Sequence, residues 1–162
     1  PLDGDSDGLK ETTITGRATF NGDPASAGPG FGGHVDLDVQ SVGGLGNFSG
    51  SLEFEKTTEG TRMSGAGVFN EKITGETTSI IVDPATPLVS KPATGASGSV
   101  ANACAYSLDG TIDVVVTARS GTSFSSDLAF DSNRRDIGIT NGVYTDGKGA
   151  TTDIPNTSHE IP

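Results

Sequence analysis

Apolar and polar residues alternate with a period of two along most of this chain, and that alternation constrains the fold more than any other feature. Ile14, Gly16, Ala18 and Phe20 alternate with Thr15, Arg17 and Thr19. Val35, Leu37 and Val39 alternate with His34, Asp36, Asp38 and Gln40, and Phe48, Gly50, Leu52 and Phe54 with Ser49, Ser51, Glu53 and Glu55. Successive side chains of a strand point to opposite faces, so each run predicts a strand with one apolar and one polar side. The same signature returns at Ile112, Val114, Val116 and Ala118, at Phe124, Leu128 and Phe130, and at Ile137 with Ile139. No stretch of a dozen residues has the i, i+3, i+4, i+7 spacing of an amphipathic helix.

Turn chemistry divides these runs. Asn21-Gly22, residues 57–60, residues 70–72 and Asp146-Gly147 mark reversals. Asp109-Gly110 predicts a two-residue hairpin between Ser99–Leu108 and Thr111–Ala118, because Asp-Gly accepts the positive φ of a type I′ turn. Residues 22–33 and 83–99 are Gly- and Pro-rich and predict long surface loops. The expected fold is therefore all-β, an antiparallel sandwich (jelly-roll or Ig-like) of about eight or nine short strands, with a small β-barrel as the alternative. An acidic extension at 1–11, one β-domain at 12–140 and a polar extension at 141–162 are the expected divisions.

Composition narrows function. With 10 Lys and Arg against 21 Asp and Glu, the chain carries a net charge of −11. A surface of that sign repels a phosphate backbone, which argues against nucleic acid as a partner. Apolar runs such as that around Ser79 to Val82 fall far short of the roughly 18 residues that a spanning helix needs. Hydrophobic residues make up 32% and there is no Trp, so the expected core is thin. The chain opens on Pro1 rather than Met, which suits a mature form cut from a precursor and an extracellular or cell-surface location. Cys104 stands alone between Ala103 and Ala105, excludes an intrachain disulfide, and reads as a small buried hydrophobe.

The most specific local pattern is Asp3, Asp5, Asp7, Gly8 and Glu11, spaced D-x-D-x-D-G-x-x-E. Calcium takes six to eight oxygens, and alternate carboxylates around a tight glycine turn deliver them, with the Leu9 carbonyl as a further ligand. These nine residues resemble the calcium loops of thrombospondin type 3 repeats and dockerins. The resemblance implies a calcium site built from Asp3, Asp5, Asp7, Leu9 and Glu11. Position twelve, where an EF-hand carries its bidentate Glu, is Ile14, so a full EF-hand is excluded. The run Phe48-x-Gly50-x-Leu52-x-Phe54 is similar to strands in barrel domains of bacterial surface lipoproteins that bind host proteins; the likeness stops at those residues and carries no site with it.

Other patterns are weaker. His34, Asp36 and Asp38 share a strand face and could hold a divalent ion, although alternating polar residues on any solvent-facing strand look the same. Gly28, Gly30 and Gly33 match G-x-G-x-x-G, but a strand rather than a helix follows. Gly142 to Lys148 approaches a phosphate loop, with Gly149 where a hydroxyl residue is required. There is no G-x-S-x-G, and of the two histidines His159 lies in the polar tail. Tyr106 and Tyr144 are the only tyrosines, few for a glycan-stacking site. These observations predict no enzyme. They point to a structural, self-assembling subunit of a surface filament, matrix or shell, stabilised by calcium and associating through terminal extensions or sheet edges. The alternatives are a calcium-dependent carbohydrate-binding or adhesive module, sited in loops 22–33 and 83–99 and meeting a glycan or cell-surface partner, and a small barrel ligand carrier or enzyme.

Overall fold

The computed structural model describes residues 12–22, 28–41, 46–92, 106–131 and 136–160. Eleven strands follow one another: β1 (Thr12–Asn21), β2 (Gly32–Ser41), β3 (Gly46–Lys56), β4 (Thr61–Glu71), β5 (Thr77–Val82), β6 (Leu88–Pro92), β7 (Tyr106–Thr117), β8 (Ser123–Asp131), β9 (Asp136–Thr145), β10 (Thr151–Ile154) and β11 (Thr157–Glu160). All pairings are antiparallel and all strands belong to one sheet, in the order β1-β2-β3-β4-β5-β7-β8-β9-β10. The all-β antiparallel class expected from the alternation is the class observed. The sheet is open: among the described residues nothing pairs β1 with β10 or β11, so the barrel alternative is not realised.

Two positions in the sheet are each shared by a pair of short strands. β5 and β6 both lie between β4 and β7, and β10 and β11 both lie along β9. Prolines occupy both breaks, Pro84 and Pro87 in the first and Pro155 in the second. A proline cannot donate to a ladder, so each stands where the line of pairing is broken. The facing strand carries a left-handed residue at the same level: Gly110 (φ 125°) in β7 and Asn141 (φ 53°) in β9.

These breaks account for three departures from expectation. Asp109-Gly110 is not a hairpin but lies inside β7, where pairing passes from β6 to β5. A Cβ on Gly110 would stand 2.9 Å from the Pro87 carbonyl oxygen, so the positive φ serves a close approach rather than a reversal. The expected loop 83–99 contains β6. The segment expected to leave the domain as a polar extension, 141–162, instead completes β9 and supplies β10 and β11.

Register places the alternating residues in rows. Gly16, Leu37, Gly50, Gly67, Ile80 and Val114 lie side by side across β1, β2, β3, β4, β5 and β7. Ile14, Val39, Phe48, Phe69, Val116, Phe124 and Tyr144 belong to a neighbouring row on the same face. Asp36, Asp38, Glu53, Asp113 and Asp127 all have the opposite parity. The sheet therefore has one apolar and one charged face, as each half of a sandwich has. Burial is sparse: among the described residues the buried hydrophobic side chains are Val82 and Leu88, while Phe20 keeps 60% of its surface exposed and Ile14 49%.

Candidate functional site

The apolar face holds an open trough of about 320 Å³ across β2, β3, β4 and β5. Its floor is glycine. Gly50 and Gly67 are direct cross-strand partners, and the Phe48 ring lies over them, within 2.8 Å of where a Gly67 Cβ would stand. Val35, Leu37, Leu52, Ile80 and Val82 form the walls. Among the described residues no charged side chain lines it. Such a surface can take hydrocarbon or another apolar protein face.

Toward one end of the same face three rings cluster. Phe20 stacks on Phe31 with centroids 6.3 Å apart, and Phe54 tilts against both at 6.2 and 6.0 Å. Gly33 sits between Phe20 and Phe54 in the ladder, and a Cβ there would meet Phe20 at 2.9 Å. Aromatic rings closing over a strand glycine restore the contact area that glycine lacks.

The charged face carries a hollow of about 430 Å³ near the same end. Thr19, His34, Glu53 and Arg62 line it with Pro84 and Pro87, so the ends of segments 22–33 and 83–99 meet there. His34 Nε2 is 2.9 Å from Asp36 Oδ1, and Nδ1 is 3.5 Å from Glu53 Oε1. Both ring nitrogens face carboxylates. Among the described residues no three His, Cys, Asp or Glu side chains gather as a metal site.

Further along this face Asp113 lies directly opposite Asp127. Burial raises the Asp113 carboxyl above its ordinary range, and the negative charges of Asp127 and Asp83 add to the shift. Lys91 Nζ donates to Asp109 Oδ2 at 2.8 Å, a bond that holds the ammonium's proton and raises its affinity.

The residues singled out for calcium, Asp3, Asp5, Asp7, Leu9 and Glu11, lie outside the described residues, as does Cys104. His159 is placed in β11 opposite Ile137, far along the sheet from His34. Gly28 to Gly33 enters β2 and Gly142 lies within a strand, so neither glycine pattern opens a helix. The trough could not be read from any one strand, because Gly50 and Gly67 become neighbours only through the β3–β4 register. None of the helices required for a spanning segment is present among the described residues. Neither family models, nor curated proteins, nor solved structures give a match to this chain.

Proposed function

We propose that this chain is a non-catalytic structural subunit, acting outside the cell, that completes its core by assembling with further copies of itself. The carrying observation is the apolar face, which no second layer covers among the described residues. A sheet that is hydrophobic on one side is stable when that side is packed against another element. Nine strand positions at about 4.8 Å and roughly seven residues at about 3.3 Å give a face of roughly 1,000 Å². That matches the ~800 Å² per partner of a stable protein interface.

Charge favours a second copy as the occupant. Among the described residues Asp36, Asp38, Glu53, Asp113 and Asp127 lie on the other face, so two copies meeting apolar side to apolar side keep these like charges apart. Contact through the other face would set Asp36, Glu53 and Asp127 against their equivalents. Calcium at Asp3, Asp5, Asp7, Leu9 and Glu11 would neutralise part of that charge and favour assembly. Light scattering after size exclusion, over a concentration series in calcium and in EDTA, tests the reading. Oligomers that shrink in EDTA are expected; a monomer at every concentration in both buffers overturns it.

The charged-face hollow favours a second reading, an adhesive or carbohydrate-binding module. Hydroxyl, carboxylate and guanidinium groups converge there beside the 83–87 segment, and a glycan array with an Arg62→Ala control tests it.

A further inference from the structure

Both edges of the sheet are open among the described residues, and they differ in kind. β10 and β11 present two four-residue pieces separated by Pro155, with Asp153 in the first. Short strands, proline and charge are the devices that keep sheet edges from pairing with other chains. β1 has none of them. It runs unbroken for ten residues, pairs with β2 without a register shift, and contains no proline, no lysine and one charged residue, Arg17. Arg17 stands opposite Asp36 of β2, so the strand's one charge faces an opposite charge of its own sheet.

We propose that β1 is a second self-association surface, on which the β1 of another copy adds as an antiparallel strand across a two-fold axis normal to the sheet. This rests on the reading of the chain as a self-assembling subunit and names the interface by which assembly spreads sideways. A two-fold of that kind keeps both apolar faces on one side only if residues of equal parity pair. Two such registers overlap by nine residues, centred on Gly16 or on Arg17. The second sets the two arginines against each other, and like charges directly opposite are destabilising. The register is therefore Gly16 on Gly16, which places Thr15 opposite Arg17 of the second copy and Ile14 opposite its Ala18. Combined with packing through the apolar face, this edge contact extends the assembly beyond a closed pair.

Cysteines report the register. In a Cys104→Ser background, a mixture of Thr15→Cys and Arg17→Cys chains is expected to form a mixed disulfide faster than either variant alone, because facing residues are closer than diagonal ones. Thr15→Lys, which gains Asp38 as a neighbour within its own chain, is expected to weaken this contact roughly fivefold by opposing Arg17 of the second copy. Oligomers in which Thr15→Lys changes nothing and no preferential cross-link forms overturn the edge interface while leaving self-assembly standing. A chain that is monomeric throughout overturns the assembly reading, and this interface with it.

Discussion

The side-chain amide of Asn141 donates to Asp127 Oδ2 at 2.6 Å, tying β9 to β8 at the level where β9 carries an extra residue. Asn141 holds a φ of 53°, and its own N–H is taken by Asn156 Oδ1 at 3.3 Å from the break between β10 and β11. One residue thus joins the bulge, the acidic pair and the divided edge.

Replacing it separates these roles. Asn141→Ala loses the bond to a carboxylate and places a Cβ-bearing residue without a local polar partner in the left-handed region. A loss of about 1–2 kcal/mol is expected by urea denaturation. Asn141→Gly keeps the backbone and loses only the bond, so it should be the milder change.

Asp113 makes stability depend on pH with a definite sign. Its folded-state carboxyl is raised above the ordinary value of 3.8, so the folded chain holds that proton more tightly than the unfolded chain. The contribution is favourable at low pH and is lost as pH rises through the raised value. Asp113→Asn should therefore stabilise the protein at pH 7 by a few tenths to about 1 kcal/mol. The advantage should vanish near pH 3, and urea midpoints at the two pH values measure it.

Phe48 and Gly67 should be coupled. A methyl on Gly67 would enter the space of the Phe48 ring, so Gly67→Ala is expected to cost ~1 kcal/mol or more alone. In a Phe48→Leu background the same change should cost less, giving an interaction energy of about 1 kcal/mol in a double-mutant cycle. Additive effects would mean that the ring does not rest on the glycine floor.

The exposed apolar face predicts dye binding that falls with concentration. A fluorescent apolar probe should bind the dilute chain and be displaced as assembly covers the trough. Leu37→Asp with Ile80→Asp should abolish both dye binding and self-association, followed by fluorescence and light scattering in parallel.

Calcium dependence should reside in the N-terminal carboxylates. Changing Asp3, Asp5 and Asp7 to Asn removes three negative ligands while keeping side-chain size. Any difference in mass between calcium and EDTA is then expected to disappear, whereas titration calorimetry of the unaltered chain should show calcium binding.

Most of the sheet was legible in the sequence because its central strands are half-buried, and half-burial writes itself as alternation. Ile14 to Phe20, Val35 to Val39 and Phe48 to Phe54 each named the correct face. β10 and β11 escaped notice for the converse reason: TTDI and TSHE lie at an edge where both sides meet water, and no periodicity is selected there. β6 was hidden by its prolines, which mark a loop and equally mark a strand end. Asp109-Gly110 signals positive φ faithfully, but positive φ serves a partner change as well as a turn. The trough and the hollow depended on cross-strand neighbours more than a dozen residues apart, which no local pattern encodes.

Each strand pairs only with strands one or two places away along the chain, so the sheet is close to a simple meander. Its width is consequently adjustable. Inserting or deleting one whole hairpin would change the sheet by two positions and leave every remaining side chain on the face it already occupies. A lineage could widen or narrow such a subunit in single genetic steps without rebuilding its pattern.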